Sequence, residues 1–283
     1  MPIKFEKVSH IYGDGSPFKY TALKEIDLDI CLGKTTAIIG ATGSGKSTLV
    51  QHLNALLLPS DGKVFVLDRI IDAKEKPKHL KSLRKQVGLV FQFPEYQLFE
   101  ETIIKDVAFG PKNFDLSEEE AIERAKEALR MVDMDDSYFE KSPLDLSGGQ
   151  KRRVAIAGIL AMDPEVIVLD EPTAGLDPQG AISMMELFKK LNTQYHKTII
   201  IVSHDMEHVF NYCDDVIVLE QGSVRCHVSV EEFFSDTKWC EKLNILPPFI
   251  IRTKELLKAK GIEIAENVKN VDELAKAIAK KVR

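Results

Sequence analysis

What the sequence lacks narrows it first. No apolar run approaches the roughly 18 residues that a membrane-spanning helix requires, and the opening MPIKFEKVSH has no apolar core of the kind a secretory signal carries. The expectation is a chain that stays in the cytosol and meets a membrane only through a partner. Positive charge is not in excess: 38 Lys and Arg stand against 44 Asp and Glu, a net charge of −6, and no basic block dominates. That disfavours a nucleic-acid binder, which carries a basic footprint. The four cysteines, Cys31, Cys213, Cys226 and Cys240, form no C-x-x-C pair. Buried free thiols in a reducing compartment are expected rather than a disulfide framework. His204 and His208 stand four apart, but no third ligand at suitable spacing joins them to suggest a metal site.

What is present is alternation. The apolar segments TAIIG (36–40), VGLVFQ (87–92), VIVLDE (166–171), TIIIVSH (198–204) and DVIVLE (215–220) predict strands buried on both faces. Helical patterns between them mark an α/β domain with a mostly parallel core sheet. Residues 3–30 carry shorter, more polar strands around YGDGSP, which predict a small N-terminal antiparallel β subdomain. From about Thr102 to Leu160 the pattern is helical. SEEE at Ser117–Glu120 is a capping box, and Ala121, Ala125, Ala128, Leu129 and Val132 supply a small apolar face. These features predict a nucleotide-binding domain over 1–220, with a helical subdomain inserted at about 93–165.

Beyond Glu220 the strand pattern stops. PPFIIRTKELLKAKG and VDELAKAIAKKV predict two amphipathic helices, the second with Val271, Leu274, Ile278 and Val282 in one stripe. Residues 221–283 are therefore expected to be a helical extension. About sixty residues make a marginal core unaided, so the extension either packs on its own core or pairs with another subunit.

Three motifs carry chemistry. GATGSGKST comprises Gly40, Ala41, Thr42, Gly43, Ser44, Gly45, Lys46, Ser47 and Thr48, placed between a strand and a helix. This is the phosphate-binding P-loop: the glycines let backbone N–H groups wrap an anion. Lys46 would reach the β- and γ-phosphates, the Ser47 hydroxyl would join a Mg²⁺ shell, and Thr48 would support the α-phosphate. In VIVLDEP, Asp170 and Glu171 end an apolar strand, where carboxylates without partners are costly. Asp170 suits the metal shell, partly through water, and Glu171 suits the polarising of an attacking water. In LSGGQKRRVAIAG, Ser147 and Gln150 have capping-box spacing, and Gly148 and Gly149 expose N–H groups at a helix start. That makes a second phosphate-binding surface in a chain whose first is complete, and a nucleotide held by another copy or a relative would use it.

Taken in order, P-loop, LSGGQ, strand-end Asp-Glu, AGLDP (174–178) and SHD (203–205) resemble the nucleotide-binding subunit of an ABC transporter over roughly residues 1–225. The resemblance implies two such subunits sandwiching two ATP molecules, each between one P-loop and the opposing LSGGQ. It implies that Tyr12 stacks on adenine, that Gln92 senses the γ-phosphate and Mg²⁺, that Asp177 couples the two sites and that His204 contacts the γ-phosphate. A surface strand aromatic is the plainer reading of Tyr12. Glu171 and the Ser147–Gln150 motif are both intact, so the chain is expected to hydrolyse ATP and to complete its partner's site.

FQFPEYQLFE followed by VAFGPKNF is similar to the ATPase subunits of energy-coupling factor (ECF) transporters, and to their A′ type. The resemblance implies a peripheral subunit on the cytoplasmic face of the cell membrane, paired as a homo- or heterodimer beneath a membrane T component. That component supports an S component, which captures vitamins or transition-metal cations. Phe93, Pro94, Tyr96, Leu98 and Phe99 are expected to line a groove for a T-component helix; the alternative is that they cover the inserted subdomain's core. Rival readings are the ATPase of a dedicated cobalt or nickel importer, a soluble ABC clamp and a regulatory ATP sensor. The clamp would need long coiled-coil insertions or a basic face, and intact Glu171 and His204 disfavour the sensor.

Overall fold

A computed structural model describes residues 3–281, except 76, 77, 79, 236, 237, 244, 266, 267, 269 and 270. Ten strands form two sheets. They are β1 (Ile3–Tyr12), β2 (Tyr20–Ile30), β3 (Thr35–Ile39), β4 (Asp61–Val66), β5 (Arg69–Asp72), β6 (Val87–Val90), β7 (Val166–Asp170), β8 (Thr198–Val202), β9 (Asp215–Glu220) and β10 (Ser223–Ser229). The smaller sheet is antiparallel, in the order β2-β1-β4-β5. The larger runs β10-β9-β3-β8-β7-β6, parallel from β9 to β6 with β10 antiparallel at its edge. The expected α/β plan with a mostly parallel core and a small antiparallel sheet therefore holds.

Side-chain alternation explains how the layers stack. On β7, Val166 and Val168 face the antiparallel sheet and share a core with Phe5, Leu28, Leu49 and Val64. Ile167 and Leu169 point the other way, into a core with Val107, Leu129, Ile156 and Phe188. Both faces being covered is why these strands read as unbroken apolar runs.

The helices are α1 (Lys46–Gln51), α2 (Leu80–Gln86), α3 (Ile103–Asn113), α4 (Glu118–Met131), α5 (Gly148–Leu160), α6 (Pro178–Thr193), α7 (Met206–Tyr212), α8 (Val230–Ser235), α9 (Lys238–Lys242), α10 (Phe249–Ala259) and α11 (Val271–Lys281). Helices α3, α4 and α5 pack on one another as the inserted helical unit. Ser117 caps α4 as expected: its hydroxyl accepts from Glu120 N–H, while Glu120 accepts from Ser117 N–H at 3.0 Å.

Several expectations need correction. The sheet does not stop at Glu220, because β10 turns back along β9 and crosses the expected 220/221 division. Its burial is only intermediate along most of its length, so it lacks the apolar signature of the central strands. Strand β6 ends at Val90, leaving Gln92 in the following bend. Cys31 is exposed rather than buried. In the expected α11 stripe only Leu274 is buried, Val271 is exposed, and Val282 lies outside the described residues.

Candidate nucleotide site

After β3 the chain turns through Gly40–Gly45 into α1. Gly40 (φ 150°) lies so close to β9 that an added Cβ would stand 2.1 Å from the Leu219 carbonyl oxygen; at Gly45 (φ 104°) it would stand 2.7 Å from that of Ala22. Those oxygens belong to sheet backbone and cannot rotate away, so both positions require glycine. Lys46 Nζ donates to the Gly40 and Ala41 carbonyls at 2.8 and 3.1 Å, folding back over the loop. Burial holds its ammonium below the usual lysine range, against the opposing charges of Glu171 and Asp170. The Ser44 hydroxyl is buried and has no hydrogen-bond partner among the described residues. An under-solvated cation and an orphaned donor in one loop are satisfied together by a multi-oxygen anion.

Asp170 ends β7 facing this loop. Burial pushes its carboxyl above the ordinary range, although the Ser47 hydroxyl bonds it and the Lys46 charge favours its ionised form. Ser47, Asp170 and the Gln92 amide are all oxygen donors, the set that suits Mg²⁺, and a carboxylate penalised by burial gains from a nearby cation. Gln92 is exposed.

Glu171 follows at φ 51°, an uncommon left-handed conformation for a non-glycine residue. Its N–H donates to the Val202 carbonyl at 3.0 Å, locking the turn to β8. Its Oε2 lies 2.7 Å from His204 Nδ1, while the His204 side chain is otherwise 77% exposed. Strand β8 lies between β3 and β7, so its end delivers His204 between the P-loop and Glu171. Beside them, a cleft of about 740 Å³ runs from Gly40 and His204 to Leu246, Pro248 and Arg252 of the C-terminal extension. The extension is tied there by Phe249 N–H donating to Glu207 Oε1 at 2.5 Å.

Tyr12 is half-exposed at the end of β1, with its hydroxyl 3.2 Å from Thr48 Oγ1. Its cross-strand neighbour Tyr20 donates a hydrogen bond to the Gly43 carbonyl at 3.2 Å. Two aromatic rings therefore flank the P-loop. Tyr20 escapes sequence reasoning because only the β1–β2 register brings it to Tyr12.

Ser147 caps α5: its hydroxyl accepts from Gln150 N–H, and its own N–H donates to Gln150 Oε1 at 3.0 Å. An added Cβ at Gly148 or Gly149 would meet nothing within 4 Å. Among the described residues nothing demands glycine at either position, so the bare backbone is open to something from outside. Asp177 caps α6, its Oδ1 accepting from Gly180 N–H at 2.7 Å. That carboxylate has a local structural task besides the coupling role the resemblance implies.

The stretch after Gln92 divides. Pro94–Gln97 forms a short 3-10 turn. Tyr96 is 85% and Phe99 63% exposed, whereas Pro94 is buried. Leu98 packs against the core of the helical unit, and Phe99 sits edge-on to Phe109 at 4.9 Å. Pro94 is thus buried and Leu98 partly so, and of the two aromatics Tyr96 is the more fully presented. Two further residues were not anticipated. Arg152 of α5 is buried and bonded to Glu95 at 2.7 Å. The signal for it was its helical spacing with Ile156 and Leu160, which puts it on the buried stripe.

The comparisons agree with this geometry. The ABC transporter family matches residues 23–174. The energy-coupling factor transporter ATP-binding protein EcfA2 of Enterococcus faecalis is 50% identical, covering 100% of this chain and 98% of its own length. Its counterpart from Spiroplasma kunkelii is 51% identical over 98% of this chain and 91% of its own length. This chain belongs to the EcfA2 family of ECF transporter ATP-binding proteins. It is an ABC-type ATPase that binds ATP, and dimerisation and a transporter partner go with that membership. Among solved structures, cbiO1 from Clostridium perfringens, part of the ABC transporter complex cbiONQ, aligns with TM-score 0.75 and 40% identity, over 89% of this chain and 98% of that one. The ABC cassette MJ0796, dimeric with ADP and Pi bound, aligns with TM-score 0.70 and 32% identity, over 81% of this chain and 98% of that one. Among the described residues of this EcfA2-family chain, no helix is long and apolar enough to cross a membrane.

Proposed function

We propose that this chain is the ATP-hydrolysing subunit that energises an ECF importer for vitamins or other micronutrients. It would work as a peripheral subunit on the cytoplasmic face of the membrane, paired with a second ATPase subunit. A T component docks near Phe93–Phe99, chiefly on Tyr96, and the S component is engaged indirectly. The observation that carries the proposal is the union of a P-loop needing an anion with an LSGGQ cap open to an outside ligand, in a chain with full-length ECF relatives.

Lys46 leaves its loop carbonyls for the β- and γ-phosphates, exchanging neutral acceptors for charged ones. Ser47, Asp170 and Gln92 would hold Mg²⁺, which supplies charge neutralisation on the phosphates. Glu171 accepts a proton from the attacking water, and His204, already hydrogen-bonded to it, keeps that carboxylate oriented and faces the γ-phosphate. Ser147–Gln150 contacts the partner's nucleotide. Two ATP molecules complete the subunit interface, so binding shifts the pair to a closed state by differential affinity. Hydrolysis reopens it, and Tyr96 passes the motion to the docked component.

Glu171→Gln tests the assignment. ATP binding should persist while turnover in the reconstituted complex falls by on the order of 10²-fold or more, as for other general bases. Unchanged turnover would remove Glu171 from the role. The likeness to cbiO1 favours one second reading, the ATPase of a dedicated cobalt or nickel importer, for which a single kind of ATPase subunit would be found. Co-purification from membranes decides between them: two kinds of ATPase subunit support the first reading, one kind the second.

A further inference from the structure

Arg152 lies two residues past the LSGGQ sequence and is 2% exposed. Its guanidinium is bidentate to Glu95, Nε to Oε2 at 3.0 Å and Nη2 to Oε1 at 2.7 Å. Nη1 donates to two carbonyls in the loop after Glu171, Pro172 at 3.0 Å and Ala174 at 2.8 Å. The Phe93 ring lies 5.7 Å from the Arg152 guanidinium carbon. The same ring crowds Gly175, where an added Cβ would stand 3.2 Å from Phe93 Cε1. One side chain thus joins three segments, each leading to a residue of the nucleotide machinery. Gln92 precedes Phe93, Ser147–Gln150 opens the helix that carries Arg152, and Asp177 follows Ala174.

A buried arginine with four satisfied N–H groups is a specific geometric constraint, because removing any acceptor leaves desolvated polar groups. We propose that Arg152 is a positioning residue that clamps the LSGGQ helix, the Phe93–Gln97 turn and the Asp177 loop into one unit. When α5 advances on a partner's nucleotide, the turn and the loop travel with it. The coupling turn is then geared to closure through Arg152 as well as through Gln92. This inference rests on the proposed use of LSGGQ in trans, and its test needs no membrane component.

Arg152→Lys keeps the charge but cannot form the fork and reach two carbonyls together. Glu95→Gln keeps the shape and removes one charge. Each is made in the Glu171→Gln background, in the chain purified with whatever ATPase subunit accompanies it. ATP-driven pairing is followed by light scattering, and ADP affinity of the chain's own P-loop serves as the local control. Both variants should bind ADP within about twofold of the parent, while the ATP needed for half-maximal pairing rises about tenfold or more. Failure of the parent itself to pair with ATP would sink the in-trans reading on which the inference rests. A parent that pairs, with both variants pairing at the same ATP concentration, would overturn the Arg152 proposal alone. So would an equal loss of ADP affinity, which would place the effect on the chain's own P-loop. Should Arg152→Lys fail to fold, Glu95→Gln decides the question.

Discussion

Glycines in this chain fall into two physical classes, and Gly149→Ala separates them. An added methyl at Gly149 meets nothing within 4 Å, and the residue is not in the left-handed region. In a helix, alanine in place of glycine gains about 0.5–1 kcal/mol, and less in the first turn. For a chain of this size that corresponds to at most roughly 1–4 °C in melting temperature. Stability without nucleotide should therefore stay level or rise. Function should fall. If a partner-held phosphate accepts from the N–H groups of Gly148 and Gly149, the methyl holds it off. A hydrogen bond to a charged group is worth about 1.5–3 kcal/mol, so ATP-driven pairing should weaken roughly 10- to 150-fold. Thermal unfolding of the apo chain and an ATP titration of pairing in the Glu171→Gln background measure the two sides. A drop of several degrees would mean the chain needs this glycine for itself. An unshifted titration would mean nothing approaches it, and either result refutes the reasoning.

Gly40→Ala should behave in the opposite way. Its Cβ would overlap the Leu219 carbonyl at 2.1 Å, so strain of about 1–3 kcal/mol adds to overpacking of about 1–3 kcal/mol. Apo melting should drop by roughly 5–20 °C, and an unchanged melting curve would show that the loop relaxes freely. His52 is buried with Nδ1 2.7 Å from the Thr48 carbonyl and Nε2 without a partner among the described residues, and burial lowers its pKa to about 4. Below about pH 6.5 the unfolded chain takes up a proton that the folded chain refuses. Stability should fall from there to about pH 4 and then level, by about 3 kcal/mol in all. His52→Gln should flatten that limb in melting curves taken from pH 7 to 4; an unaltered acid limb would assign the loss to other groups. Tyr96→Asp should leave soluble ATPase activity intact while the chain no longer co-purifies with its membrane partner. Retained assembly and transport would end the docking proposal.

The fold was legible where the sheet is covered on both faces, because burial leaves continuous apolar runs such as 166–170 and 198–202. It was illegible at β10 and β4, where partial exposure dilutes the pattern. The placing of the P-loop between β3 and α1, of Asp170 and Glu171 at the end of β7 and of Ser147 as the cap of α5 was legible, because phosphate chemistry restricts residue type at fixed spacing; the roles of these residues are those proposed above. Arg152 and Glu95 were not: they stand 57 positions apart, and only the packing of α5 on the Pro94–Gln97 turn brings them together. Leu98 stood between two readings for a related reason. Apolar side chains look alike whether they await a partner or cover their own core, and only burial tells Leu98 from Tyr96.

Strand order accounts for the layout of the site. β3, β8, β7 and β6 are successive neighbours, and the candidate groups follow their carboxyl ends in the same sequence. Gly40 opens the P-loop after β3, His204 follows β8, Asp170 and Glu171 end β7, and Gln92 follows β6. Ligands in open α/β sheets bind outside these ends. The His204–Glu171 contact of 2.7 Å is then a consequence of adjacency rather than an isolated feature. Position in the row also assigns mobility. β3, β8 and β7 are paired on both sides, whereas β6 is an edge strand whose ladder to β7 runs from Val87 to Val90. Gln92, two residues beyond that ladder, is outside the sheet, while Glu95, three residues further on, is bonded to Arg152 of the helical unit. A displacement of that unit, as proposed above, would reach Gln92 across three residues of chain, whereas the P-loop follows a strand paired on both sides. On the docking proposed above, a membrane partner pressing on Tyr96 would act next to the member of this candidate row that follows the edge strand.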